Sequence, residues 1–255
     1  NQIPLERCLS LGCGAGSLER SLAKQSAFKQ CDAYDVSDGS IMEANKMAKE
    51  EDIDNINYYI ANINTINLPP SSYDAVWIQG AMHHFEALEH VCQQIKQTLK
   101  PSGLLILNEY VGPNRFQFSA RQKEIANLCL QLLPKNYRYL KKEALRTQSL
   151  EATFQAGGKW LFSRLVDKIK DGTLINTIHR RLRSYKYNLT KQVAEKETIP
   201  FPSANDVIAA DPSEAIRSGE IITVLKQYFE IVEKKDLGGN ILQFLLADIA
   251  GNFAQ

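Results

Sequence analysis

The chain of 255 residues is poor in cysteine, and the five it has, at positions 8, 13, 31, 92 and 129, form no C-x-x-C pair and are odd in number. That usage argues against a disulfide framework and is expected of reduced thiols in a cytoplasmic protein. No apolar run approaches the ~20 residues that cross a bilayer, so no membrane span is expected. The opening residues, "NQIPLERCLSL", lack a basic start and a long apolar stretch, so they do not read as a signal peptide. Internal repeats and low-complexity tracts are missing. So is the P-loop signature G-x-x-x-x-G-K-[ST], and no RNA- or DNA-binding module is visible, so nucleic acid is not expected as a partner. No metal ligand set is assigned.

What is present begins with charge. The net charge of +1 hides an asymmetry: residues 113–210 carry 18 Lys/Arg against 8 Asp/Glu, and the remainder 12 against 21. A split of this kind predicts two parts with different tasks. Hydrophobic residues make up 44% of the chain, enough for an ordinary core.

Short apolar segments alternate with amphipathic ones through the first 112 residues. "RCLSLG", "QCDAYDVS", "INYYIANIN", "SYDAVWIQG" and "LLILNEYVG" read as strands. Between them, "AGSLERSLAKQS", "GSIMEANKMAKEE" and "FEALEHVCQQIKQTLK" have apolar residues at helical spacing, with Leu18, Leu22 and Ala23 on one face and Ile41, Ala44, Met47 and Ala48 on another. This alternation predicts right-handed βαβ units and a parallel sheet. It stops for about a hundred residues and is expected to resume at Asp211, an N-cap with Pro212 in the first turn and Glu214 closing a capping box. "FEIVEKK" and "NILQFLLADIAG", separated by "DLGG", are expected to pair as an antiparallel hairpin, because so short a link cannot make a parallel crossover.

The first strand ends in "LSLGCGAGSLER". Gly12, Gly14 and Gly16 allow a sharp turn and a close approach to a ligand. The dinucleotide fingerprint is G-x-G-x-x-G; here the third glycine comes one residue early and Ser17 takes its place, which argues against a nicotinamide cofactor. Asp35 ends the second strand, where a carboxylate can accept both hydroxyls of a ribose. Asn62, at the end of the third, can meet an adenine edge.

Together "LSLGCGAG", "YDVS", "ANIN", "YDAVWIQGAMHHF" and "LKPSGLLILNEYVGP" resemble the class I S-adenosylmethionine-dependent methyltransferases, over residues 5–112 and more weakly over 211–250. The resemblance implies an α/β, Rossmann-like fold with a seven-stranded sheet, order 3-2-1-4-5-7-6 with strand 7 antiparallel. It also implies S-adenosyl-L-methionine as cofactor. In its terms Gly12, Cys13, Gly14 and Gly16 pack on the methionine and ribose parts, Asp35 binds the ribose, Val36 and Ile63 flank the adenine, Asn62 meets its edge, and Gln79 and Gly80 line the methyl-transfer site. Two departures stand out: many members of that family are acidic where this chain has Ser10, and carry aspartate where it has Asn62.

Methyl transfer needs mainly an acceptor placed in line with the reactive bond, with a general base where an alcohol or acidic C–H attacks. His83 and His84, just past the fourth strand, and Glu109, ending the fifth, are the candidate catalytic groups. Tyr110, Arg115 and Gln117 are the candidate substrate contacts. Residues 1–112 with 211–255 are expected to form the cofactor-binding core, and 113–210 a mainly helical cap. The apolar stripe Trp160, Leu161, Leu165, Val166 and Ile169 of the cap packs internally or against a second subunit, which makes a homodimer through this insertion conceivable. Its basic face suits an anionic small molecule, related to glycans or lipids, with an anionic membrane surface as second choice. Two other functions stay open at this point: a cofactor-binding protein impaired in catalysis, and a nicotinamide-linked oxidoreductase.

Overall fold

The computed structural model describes residues 3–140, 195–237 and 241–253. These divide into two compact units: 3–117 with 202–234, and 118–140 with 195–201, 235–237 and 241–253. The apolar stripe at 160–169 and the basic run through Arg180, Arg181 and Arg183 lie outside the described residues.

In the first unit, five parallel strands lie in the order β3-β2-β1-β4-β5. They are β1 (Leu5–Leu11), β2 (Phe28–Asp35), β3 (Ile56–Ile60), β4 (Tyr73–Gln79) and β5 (Leu99–Asn108). The helices between them are α1 (Ser17–Lys24), α2 (Asp38–Glu50) and α3 (Leu88–Thr98). The central strand β1 is fully buried from Cys8 to Leu11. Apart from Ser10 this stretch is apolar on both faces rather than alternating, as parallel strands covered on both sides are. On one face Phe28, Cys31, Ala33 and Trp77 pack against Ile41, Ala44 and Ala48 of α2 and against Leu18 and Leu22 of α1. On the other, Leu9, Leu11, Val76 and Ile78 pack against Leu88, Val91, Cys92 and Ile95 of α3. The predicted apolar faces of the first two helices are thus the buried ones.

The end of the chain departs from expectation. Among the described residues the sheet has five strands, not seven. Residues 229–237 take no regular structure, and the apolar part of "NILQFLLADIAG" forms a short helix, Leu242–Leu246, in place of the second hairpin strand. "LQFLL" places Leu245 and, one turn on, Ile249 in a cluster with Ala126, Leu130 and Ile199 of the second unit; a short apolar run can be helix or strand, and its packing partners arbitrate. The expected capping box at Asp211 is also not formed. Asp211 Oδ1 accepts from the Ser213 N–H (2.7 Å), residues 212–217 run as turns, and the helix starts only at Ile221. Tertiary bonds hold those turns: Ile216 N–H donates to the His83 carbonyl (3.1 Å), and Arg115 N–H to that of Ala215 (2.7 Å). The guanidinium of Arg217 forks onto both carboxylate oxygens of Glu89 at 2.7 Å. The capping box instead appears upstream, where Ser203 and Asp206 start the helix Ala204–Ala210.

In the second unit a helix, Ala120–Leu132, opens with a capping box of Ser119 and Gln122. Phe118, Phe201 and Phe244 form a ring cluster. Buried Lys196 donates to the carbonyls of Phe244, Leu245 and Ala247.

Candidate functional site

At the C-terminal end of β1 the chain turns through three left-handed glycines, Gly12 (φ 74°), Gly14 (φ 53°) and Gly16 (φ 71°). Two are needed for space as well as for conformation. A Cβ on Gly12 would lie 2.3 Å from that of Ala81, and one on Gly16 2.4 Å from the Tyr58 hydroxyl. The loop is fastened to the end of β2, since the Gly14 N–H donates to Asp35 Oδ2 (2.8 Å) and the Ser37 N–H to Oδ1 (2.8 Å). Each oxygen of Asp35 keeps a lone pair for a further donor. Val36 beside it is 67% exposed, an apolar surface with nothing packed on it. The Cys13 thiol is pushed up by burial and stays protonated. Asn62 is exposed, but its side chain caps the turn that follows by accepting from the Asn64 N–H (3.0 Å). Ile63 is in the core. Gln79 and Gly80 are exposed at the end of β4, and Gly80 (φ 59°) has open space around it.

Beneath the glycine loop lies a residue that the sequence did not single out. Glu19, 1% exposed, accepts the Ser10 hydroxyl at 2.5 Å. Burial raises its pKa against the opposing Ser10 bond. The serine at the otherwise acidic motif position is thus matched by a carboxylate from α1. The signal that could have found it is the Ser10 hydroxyl inside the apolar stretch Cys8–Leu11, which needs a buried partner.

The second cluster sits past the ends of β4 and β5. The Glu109 side chain, 3% exposed, accepts from three backbone N–H groups: Ala81 (2.9 Å) and Met82 (2.5 Å) on Oε2, and Tyr110 (2.7 Å) on Oε1. Its Oε1 also bonds His83 Nδ1. Burial alone would raise the Glu109 pKa, but the His83 bond and charge, with those N–H donors, outweigh it and hold the carboxyl below its usual range. Burial likewise works against the charged form of His83, and the bond to Glu109 and the charges of Glu109, Glu214 and Asp211 prevail, so its pKa is raised. The Nε2 of His83 faces Glu214 Oε1 at 3.3 Å. His84 stands beside it, ring centroids 4.2 Å apart, with Nδ1 at 3.0 Å from Ser213 Oγ. That hydroxyl donates to Asp211 Oδ1 (2.7 Å). Having spent its proton on Asp211, Ser213 can accept from His84 Nδ1–H, and the Nε2 of that ring lies 4.0 Å from Glu214 Oε2.

Asp211, Ser213 and Glu214 stand well over a hundred residues from the histidines, and no local pattern marks them as their partners. Tyr110 packs edge-on to His83 and donates to the Pro113 carbonyl (3.1 Å); burial pushes its phenol up to about 12. Arg115 donates to the Glu214 carbonyl (2.8 Å), and Gln117 to the carbonyls of Arg115 and Pro202. These two brace the loop after β5, and Arg115 keeps further N–H groups for another acceptor.

Residues 9–107 match the family profile described as "Methyltransferase domain". They span the glycine loop, Asp35, the ends of the first four strands and most of the fifth. Over these residues the chain is similar to S-adenosylmethionine-dependent methyltransferases. The chain is 26% identical over 156 residues to the sterol 24-C-methyltransferase of Candida albicans, a match covering 58% of this chain and 41% of that one. It is 27% identical over 107 residues to the 27-O-demethylrifamycin SV methyltransferase of Amycolatopsis mediterranei, covering 42% and 39%. The chain thus matches about two-fifths of the length of these curated relatives. The crystal structure of the YcgJ protein of Bacillus subtilis aligns with a TM-score of 0.42 at 21% identity, over 51% of this chain and 52% of that one. No helix of the described residues is long and apolar enough to cross a membrane.

Proposed function

We propose that the protein transfers the methyl group of S-adenosylmethionine to a small anionic acceptor, at oxygen or carbon. The observation that carries this reading is the left-handed glycine loop tied to Asp35 through the Gly14 N–H at 2.8 Å. The arrangement fits the cofactor. The loop leaves backbone exposed where a Cβ would intrude, Asp35 offers lone pairs to the ribose hydroxyls, and Val36 presents a bare apolar face to the adenine, with Asn62 at its edge. Gln79 and Gly80 would line the methyl end. The cofactor supplies an electrophilic sulfonium methyl, so the chain's own contribution is placement and, for an oxygen acceptor, removal of a proton. His84 is the base in this reading, because Ser213 and Asp211 can fix its tautomer with the proton on Nδ1. His83 and Glu109 position it, and Tyr110, with the spare donors of Arg115, faces the acceptor beside Gln117.

The test is calorimetry. S-adenosylmethionine and S-adenosylhomocysteine should bind and NAD should not. Asp35→Ala should weaken binding by about 1.5–3 kcal/mol, as for other hydrogen bonds to a charged group, or roughly 10- to 100-fold. Unchanged affinity in that variant would remove the assignment.

The anionic acceptor rests on charge, ten net positive over residues 113–210. The names of this chain's relatives include a carbon, an oxygen and a protein N-terminal nitrogen as acceptors, so the choice of oxygen or carbon rests on the candidate base and not on them. Clustered cations speed the arrival of an anion and are screened by salt. Reversing Arg180, Arg181 and Arg183 to Glu should raise KM for the acceptor, leave S-adenosylmethionine affinity unchanged and flatten the salt dependence. A loss of stability with KM untouched would mean that the charges serve folding.

A further inference from the structure

We propose that His83, His84 and Glu214 form a site for one divalent cation of the zinc class. Three ligand atoms, one from each side chain, lie within 4.8 Å of one another. The Nε2 of His83 is 3.3 Å from Glu214 Oε1, and the Nε2 of His84 is 4.0 Å from Glu214 Oε2. Around a tetrahedral zinc with bonds of ~2.0–2.1 Å, neighbouring ligand atoms stand about 3.3 Å apart. The first edge already has that length. The second needs a small swing of Glu214, whose side chain is 28% exposed and free to make it.

An independent observation points the same way. A histidine that ligates a metal almost always gives its other ring N–H to a carboxylate, a carbonyl or water, which orients the ring and makes the ligating nitrogen more basic. Both histidines here are tied in that manner. His83 Nδ1 is held by Glu109, which three backbone N–H groups lock in place. His84 Nδ1 is held by Ser213, which Asp211 holds in turn. Two separately anchored imidazoles therefore turn their Nε2 atoms onto one carboxylate. Imidazole nitrogens with a carboxylate suit zinc better than calcium or magnesium, which prefer all-oxygen shells. Three protein ligands leave the fourth position open, and His84, 31% exposed, gives a route to it from solvent.

The binding site stands without the methyltransferase reading. One consequence rests on that reading: a metal on His84 Nε2 takes the lone pair assigned to the base, so zinc should inhibit methyl transfer.

The experiment uses the full chain and two probes, zinc in calorimetry and cobalt(II) in visible absorption. One ion per chain should bind, with the strong visible bands of tetrahedral cobalt. Glu214→Gln should weaken binding more than about 100-fold, and Asp211→Asn, which loosens the anchor of His84 without removing a ligand, about tenfold. Both residues are partly exposed, so both variants are expected to fold, which circular dichroism checks. All five cysteines are free thiols and are the competing ligands. A cobalt–thiolate charge-transfer band, or binding unchanged in Glu214→Gln, overturns the site. If metal binds as expected while S-adenosylmethionine does not, the site holds and the methyltransferase reading fails. If both bind and zinc leaves methyl transfer untouched, the site holds and the base is not His84.

Discussion

Replacing Glu109 with alanine should destabilise the protein by about 3–5 kcal/mol, the usual cost of removing one partner of a buried charge pair. The carboxylate is almost fully buried and holds four donors: the N–H groups of Ala81, Met82 and Tyr110, and the ring of His83. Alanine leaves all four without an acceptor, and a buried donor left unpaired costs its full desolvation. Native proteins have only about 5–15 kcal/mol to lose. In a chain of this size each kcal/mol corresponds to ~2–4 °C, so the melting temperature should fall by roughly 6–20 °C. Glu109→Gln is the finer probe. Its amide keeps one acceptor oxygen and turns N–H donors toward the other pair of donors, so its loss should lie between wild type and alanine. Thermal unfolding followed by circular dichroism measures both. A fall of under about 1 kcal/mol in the alanine variant would mean that the backbone groups find other acceptors, and that Glu109 does not organise the loop carrying His83 and His84.

Gly12→Ala should weaken cofactor binding severely, lowering S-adenosylhomocysteine affinity at least about 30-fold. Two costs combine. The left-handed φ of 74° disfavours any residue with a Cβ by ~1–2 kcal/mol, and the new methyl would lie 2.3 Å from the Cβ of Ala81, so either the loop or the turn before His83 must move. Overpacking of that kind typically costs a further ~1–3 kcal/mol. Gly14→Ala is the control, because its φ is also positive but nothing lies within 4 Å of the added Cβ. It should lose only the conformational part of the stability. Calorimetry and thermal unfolding on the two variants separate clash from conformation. Equal losses of stability would show that the contact with Ala81 does not constrain the loop.

The sequence alone determined the parallel α/β core, its strand ends and the face each of the first two helices buries. Those signals are local: apolar runs of strand length, helical spacing at Ile41, Ala44 and Ala48, and glycines where the chain must turn left-handed. For the same reason Gly12, Gly14, Gly16 and Asp35 could be named as one site, since in a parallel sheet consecutive strand ends meet at one edge. The chain's last part was decided otherwise. "NILQFLLADIAG" has no strong period, and its packing with Ala126, Leu130 and Ile199 made it helix rather than hairpin strand. The Asp211 segment carries a sound capping pattern, yet the carbonyls of His83 and Ala215 and the fork of Arg217 on Glu89 hold it as turns, because several tertiary bonds outweigh one local cap. Only that tertiary choice brought Glu214 between two histidines whose outer nitrogens are already tied to Glu109 and, through Ser213, to Asp211. Residues so far apart along the chain share no sequence period, and their chemistry together exists only once the fold has closed the distance.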